Sequence, residues 1–137
     1  MNGDSVFFDT NVLLYLLTAD ATKANRAEEV LRGGGRISVQ VLNEFAAVAL
    51  RKFEMSFVET REVQDVVRSI CAVEPLTAQT HDRGLAIGER YGFAVYDSMI
   101  IASALLADCR ILLSEDLQHG QTIDGTLTIQ NPFVSDS

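Results

Sequence analysis

In the stretch "VFFDTNVLLYLL", residues 6–17, one carboxylate, Asp9, stands between an apolar run short enough for a buried strand and a longer run that reads as a buried helix. A charge left alone in such a place is costly unless it is paired, protonated or bound to a metal ion. Asp9 therefore needs a partner or a role.

The pattern around it is that of an α/β chain. "SVFF" (5–8) reads as a strand, and after "DTN", where Thr10 or Asn11 can cap, "VLLYLL" starts a helix. "ATKANRAEEVLRGGG" (21–35) is a more polar helix stopped by Gly33, Gly34 and Gly35, and "RISV" (36–39) is the next strand. From Val39 to Phe53 apolar residues recur at 41, 42, 45, 46, 49 and 50, one face of a helix. Residues 57–72 continue as a helix with Val63, Val66, Val67 and Ile70 inward. "VEPL" (73–76) is a short strand or extended link, because Pro75 disfavours helix. "TAQTHDRGLAIGERYG" (77–92) is a helix ended by Gly92 and weakened by Gly84 and Gly88. Residues 98–108 form a strongly apolar, central helix, "RILLS" (110–114) a strand, and "GTLTIQNP" (125–132) a last, edge-like strand. Strands separated by helices imply a parallel sheet covered on both faces.

With 137 residues, 47% hydrophobic and 22% charged, the chain is expected to form one domain over 1–137, with a frayed tail at about 132–137. No stretch reaches the roughly 18–20 apolar residues of a membrane span, and Asp4 and Asp9 break any signal-peptide pattern, so the expected location is the cytoplasm, with no membrane partner. Cys71 and Cys109 have no C-x-x-C spacing and no nearby histidine, and read as ordinary buried thiols. The net charge of −8, from 19 acids and 11 bases, argues against binding nucleic acid through a generally basic surface.

In open parallel sheets ligands sit outside the carboxyl ends of the strands, so the residues just after each strand carry the information. Asp9 follows the first. Glu44 lies in the first two turns of the helix after "RISV". Asp97 opens the helix of "VYDSMIIASAL", where the N-terminus favours negative charge. Ser114, Glu115 and Asp116 follow "RILL". Taken singly, Asp97 reads as a helix cap, Asp116 as a turn residue and Glu44 as a solvated side chain. Together they deliver acids to one edge. The only two lysines, Lys23 and Lys52, belong to the polar faces of other helices. Two carboxylates about 4 Å apart repel by roughly 4 kcal/mol at an effective dielectric near 20. Such a set needs a cation, and all-oxygen ligation points to Mg²⁺ or Mn²⁺ rather than zinc.

"FFDTNVLLYLL", "ISVQVLNEFAAVALRK", "YDSMIIASALLADC" and "ILLSEDLQHG" resemble, in order and spacing, the four motifs of PIN-domain ribonucleases, especially the VapC-like toxins of bacterial toxin–antitoxin pairs. The resemblance implies a three-layer α/β/α domain with a central parallel sheet. Asp9, Glu44, Asp97 and Asp116 match the family's acidic quartet, and Asn11 and Ser114 match the polar residues that accompany its first and last acids. Glu115 is the alternative to Asp116, which is preferred because it stands two after Ser114. The implied activity is metal-dependent cleavage of RNA, and the implied partners are an RNA substrate, an antitoxin and a second copy of the chain. Leu16, Leu17, Phe53 and Phe57 each fit burial in the core first, and a contiguous excess of such side chains would mark a protein interface.

Competing readings lose residues they need. A haloacid-dehalogenase-like hydrolase requires a second Asp where Asn11 stands, and both it and a phosphoacceptor receiver require a late lysine that is missing. The glycines at 33–35 lack the Lys-Ser/Thr of a phosphate loop. The remaining rival is a PIN-fold module that binds RNA or protein without cutting, which the presence of all four acids disfavours. Arg36, Arg51 and Lys52 flank the Glu44 helix and Arg83 and Arg90 share another, without exceeding the basicity of a normal solvated face. His81 reads as a surface residue and His119 as a weak general-acid candidate.

Overall fold

A computed structural model describes residues 5–134. The chain runs β1 (Val6–Phe8), α1 (Thr10–Leu14), a 3-10 turn (Tyr15–Leu17), α2 (Ala21–Arg32), β2 (Gly35–Ser38), α3 (Val39–Arg51), α4 (Phe57–Ile70), β3 (Cys71–Glu74), α5 (Ala78–Tyr91), α6 (Val95–Leu106), β4 (Ile111–Leu113), β5 (Thr122–Ile123) and β6 (Leu127–Gln130). Polar side chains set the helix starts. Asp20 accepts from the backbone of Thr22 and Lys23, Ser38 from Val41, and Ser56 closes a capping box with Glu59.

The six strands lie in the order β3-β2-β1-β4-β6-β5, parallel except for the β5–β6 pair. β1 pairs on one side with β2 and on the other with β4, placing Phe7 beside Leu112 and Phe8 beside Leu113. Chain order moves one way from β1 to β3 and then jumps back across β1 to β4. Right-handed crossovers therefore put α1–α4 on one face of the sheet and α5–α6 on the other. α6 accordingly packs on both β2 and β4 while α5 packs on α6. This gives the expected α/β domain, a central and mostly parallel sheet flanked by helices.

Phe7, Phe8, Val12, Phe45, Ile101, Leu112 and Ile129 are fully buried between the layers. Each such side chain contributes about 1.5–3 kcal/mol by leaving water. β2 can approach β1 because its first residue is Gly35, where a Cβ would stand 2.5 Å from the Phe8 ring and 2.7 Å from the Val6 carbonyl.

Several boundaries differ from the sequence expectation. The cap of α1 is Asp9, not Thr10 or Asn11, and α1 gives way to the 3-10 turn after one turn and a half. β3 begins at Cys71, two residues inside the helix expected to reach 72. Val66 and Ile70 face outward, leaving Val67 as the buried member of the expected inward set and Val63 partly buried against the core. α6 begins at Val95 rather than 98. β6 is not the edge, since β5, two residues without an apolar run, pairs outside it. Phe133 packs edge-on against Tyr15 with centroids 4.7 Å apart, so the expected tail is held at least to that residue, while 135–137 lie outside the described residues. Cys71 and Cys109 are buried thiols outside any disulfide among the described residues, as expected. Among the described residues no helix is long and apolar enough to cross a membrane.

Candidate active site

The strand order reverses between β1 and β4, and a crevice forms outside their carboxyl ends at such a point. Asp9 leaves β1 there, and its N–H donates to the Leu113 carbonyl of β4 at 3.0 Å. The Asp9 side chain is only 5% exposed. Its Oδ1 accepts from the Thr10 N–H at 2.7 Å, and its Oδ2 accepts from Ser114 Oγ at 2.8 Å and from Asn11 Nδ2 at 3.3 Å. Burial pushes this carboxyl up to about 6; the bonds from Ser114 and Thr10 oppose the rise, and the charges of Asp97 and Asp116 add to it.

Ser114 organises the other side of the crevice. Fully buried at the end of β4, its Oγ accepts from the N–H groups of Asp116 at 3.2 Å and Leu117 at 3.4 Å while donating to Asp9. Asn11 ties the two sides together. Its Nδ2 reaches Asp116 Oδ2 at 3.1 Å and Ser114 Oγ at 3.4 Å, and its Oδ1 accepts from the Glu115 N–H at 3.1 Å.

Glu115 and Asp116 part here. Glu115 turns away to the Tyr15 hydroxyl and the Lys23 ammonium, and although burial works to raise its carboxyl, those bonds and the Lys23 charge bring it below the ordinary range. Lys23 is thus not merely on a polar surface: its Nζ also lies 4.6 Å from the Tyr15 ring centroid and 5.1 Å from that of Phe133. Asp116 stays exposed on the crevice side, bonded to Asn11.

Glu44 and Asp97 arrive from the two helix layers. Glu44, in the second turn of α3, accepts at Oε1 from Thr10 Oγ1 at 3.1 Å and from Gln40 Nε2 at 3.2 Å. Gln40, itself buried, also donates to the Tyr96 carbonyl at 2.9 Å and so joins α3 to the start of α6. Asp97 sits in the first turn of α6 but does not cap it, because Ala94 holds the N-cap position. Its carboxyl is raised by partial burial and then by the charges of Asp116 and Glu44. Thr10, Gln40, Tyr15 and Lys23 were not among the site candidates read from the sequence. Gln40 was detectable in principle, one turn before Glu44 on the same helix face.

The other candidates lie elsewhere. Arg83 and Arg90 pair with Asp124, and Arg36 with Glu74. His81 is exposed, and His119 Nδ1 accepts from the Asn131 N–H at 2.9 Å.

Among the described residues, none of the four acids Asp9, Glu44, Asp97 and Asp116 has an ion-pair partner. Nor is any set of three His, Cys, Asp or Glu side chains drawn close enough to close a metal shell. Asp9 feels the charges of Asp97 and Asp116, and Asp97 those of Asp116 and Glu44, so the four acids are linked through their charges yet form an open set. Their chemistry suits a hard cation: the donors are all oxygens, and the most buried of them accepts hydrogen bonds without meeting a positive group.

An acid-lined crevice at the reversal point of a helix-flanked, mostly parallel sheet defines an α/β domain whose chemistry lies outside its strand ends. More particularly, the chain belongs to the PIN domain family, which it matches over residues 6–122. No curated protein sequence matches it. Similar solved structures include a toxin–antitoxin complex from Klebsiella pneumoniae, with TM-score 0.72 and 20% identity over 94% of this chain and 98% of that one. VapC20 of Mycobacterium tuberculosis, described as a sarcin-ricin loop cleaving toxin, has TM-score 0.66 and 16% identity over 82% and 92%. VapBC2 from Rickettsia felis, bound to a promoter DNA fragment, has TM-score 0.63 and 16% identity over 92% and 97%.

Proposed function

We propose that this protein is an Mg²⁺- or Mn²⁺-dependent endoribonuclease and the toxin of a toxin–antitoxin pair, acting in the cytoplasm as a homodimer. The observation that carries the reading is Asp9, buried at the reversal point, raised in pKa chiefly by burial and further by the charges of Asp97 and Asp116, and without an ion-pair partner among the described residues. Asp9, Asp97 and Glu44 would hold the ion, with Asp116 completing a second site or orienting a water. When bound, a divalent ion supplies polarisation of a phosphate oxygen and a lowered pKa for water. Ser114 and Asn11 fix the direction of the Asp9 carboxylate, and Thr10 and Gln40 fix Glu44, so the oxygens are aimed before any ligand arrives. The cation also resolves the net-charge objection, because RNA phosphate then meets the ion rather than bare carboxylates.

An antitoxin partner is supported by the structural neighbours, which include toxin–antitoxin complexes, and by the outer face of α4. Phe57 is 68% and Val66 65% exposed there, and a cleft of about 450 Å³ lined by Leu16, Leu31, Val63 and Val67 separates α4 from α2.

The test is cleavage of total RNA by purified protein with Mg²⁺, with Mn²⁺ and with chelator. Asp9→Asn and Asp97→Asn should each lower the rate by at least about a hundredfold, the usual order for loss of a ligand or its support. Production of the natural chain alone should slow bacterial growth while Asp9→Asn does not. Full cleavage in chelator, or equal growth with RNA intact in both strains, would overturn the reading in favour of a binding-only module.

A further inference from the structure

Of the four acids only Asp116 stands on neither a helix nor a helix cap. Asp9 caps α1, Glu44 lies in α3 and Asp97 in α6, whereas Asp116 sits in the irregular turn that follows β4. An acid on a loop is aimed less firmly than one on a helix unless the loop itself is tied down. Ser114 and Asn11 tie this turn from within the site, by accepting from the N–H groups of Glu115, Asp116 and Leu117. A further tie comes from outside it. The Glu115 carboxylate receives the Tyr15 hydroxyl on one oxygen and the Lys23 ammonium on the other. Lys23 rises from the first turn of α2, and its Nζ lies over the rings of both Tyr15 and Phe133. Phe133 is seated in turn by its own segment: Arg26 Nε donates to the Pro132 carbonyl at 2.6 Å, and the Phe133 N–H to Asn131 Oδ1 at 2.9 Å.

The 3-10 turn, α2 and the segment after β6 therefore converge on one carboxylate, next in sequence to Asp116. Stability does not explain the convergence. The Lys23 and Glu115 side chains are 32% and 24% exposed, and ion pairs so open to water contribute little to folding. What the pair constrains is direction: with Glu115 held toward α2, Asp116 is the acid bonded to Asn11 on the crevice side. We propose that Lys23 is a positioning residue for the metal site: gripped by the rings of Tyr15 and Phe133, it draws the Glu115 side chain toward α2 and so fixes the turn in which Asp116, rather than Glu115, meets the ion. This rests on the metal-nuclease reading and adds to it residues, on α2 and after the last strand, that act only through Glu115.

Charge and positioning predict opposite signs. Lys23 is a cation near a cation site, so by charge alone Lys23→Met would tighten metal binding. Positioning requires that it loosen. Mn²⁺ affinity is read from the electron paramagnetic resonance signal of the free ion, without RNA or turnover. Lys23→Met should weaken it about tenfold, the low end for loss of a group that orients a ligand, and Lys23→Arg, which keeps the charge and stacks on aromatic rings, should restore it. Lys23→Met combined with Glu115→Ala leaves the net charge at −8 and should bind no more weakly than Lys23→Met alone, because Lys23 acts through Glu115. Phe133→Leu changes no charge and should weaken binding about threefold, the worth of one exposed cation–aromatic contact. Amide hydrogen exchange of the metal-free protein reads the turn directly. Lys23→Met should speed exchange at Glu115, Asp116 and Leu117 and leave Thr128, whose N–H donates to the Arg110 carbonyl, unchanged. Faster exchange at the turn in a protein that binds no Mn²⁺ keeps the positioning role and overturns the metal reading. Mn²⁺ binding that is unchanged or tighter in Lys23→Met overturns the proposal. So does exchange that is unchanged at the turn, or that speeds equally there and at Thr128, the mark of general destabilisation.

Discussion

Asp9 is where the requirements of folding and of the proposed chemistry oppose each other. Its carboxyl rises from an ordinary 3.8 to about 6, chiefly through burial. Without metal, the folded chain between about pH 4 and 6 holds a proton that the unfolded chain has released. Stability contributed by this residue is therefore complete below about pH 4, falls as pH rises through 6, and is level above it. A shift of that size corresponds to about 2–3 kcal/mol. The partial burial of Asp97 adds a contribution of the same sign, whereas Glu115, lowered by Lys23, acts oppositely in stronger acid. Comparison with Asp9→Asn isolates the residue. In chelator, denaturant unfolding should give a wild-type minus Asp9→Asn stability difference that decreases by about 2–3 kcal/mol between pH 4 and 7. A difference independent of pH would mean that Asp9 ionises as a solvated carboxylate.

At the scale of elements, the site depends on helices that must approach closely, and α5 against α6 is the tightest such pair. Gly84 and Gly88 look like weaknesses from propensity alone, each costing about 1 kcal/mol relative to alanine. The packing reverses that judgement. A Cβ at Gly84 would lie 2.4 Å from Met99 Sδ and 3.3 Å from its Cα, and one at Gly88 would lie 2.9 Å from Ser98 Oγ. Both contacts fall on the part of α6 that immediately follows Asp97. Gly84→Ala should therefore lower stability by about 1–3 kcal/mol despite its better helix propensity, the range for overpacking. Thermal and denaturant melts decide it, and a more stable Gly84→Ala would show that Met99 moves aside freely. Helix faces were readable where the apolar spacing was regular, as along α3. They differ along α4, where Val66 and Ile70 follow the same spacing as buried Val67 but line an open cleft toward α2 and stay exposed. The start of α6 was placed late because Ala94 carries no capping side chain to mark it.

For the whole molecule, topology does what no local pattern announces. The strand and helix order was visible as alternating apolar runs and punctuation, and with it the positions of Asp9 and Ser114 just beyond strands. That β1 and β4 are neighbours follows only from the reversal of strand order, and it is this pairing that brings Asn11 to Asp116 across 105 positions of chain. Lys23 and Glu115 meet across 92 positions for the same reason, and neither long side chain advertises its partner. The edge strand β5 was invisible because two residues make no period. One consequence of the convergence belongs to the molecule as a unit. Four acids without a cationic partner weaken the metal-free fold at neutral pH, so an ion bound to the folded chain alone relieves that cost and adds its own binding energy. At a hundred times its dissociation constant, Mg²⁺ or Mn²⁺ should stabilise the natural chain by about 2.7 kcal/mol. For a domain of this size that is roughly a 10 °C rise in melting temperature. Asp9→Asn should melt at or above the wild type in chelator at pH 7, since it no longer buries a charge, yet gain far less from metal. If metal shifted both proteins equally, or neither, the acids that this topology gathers would not share an ion.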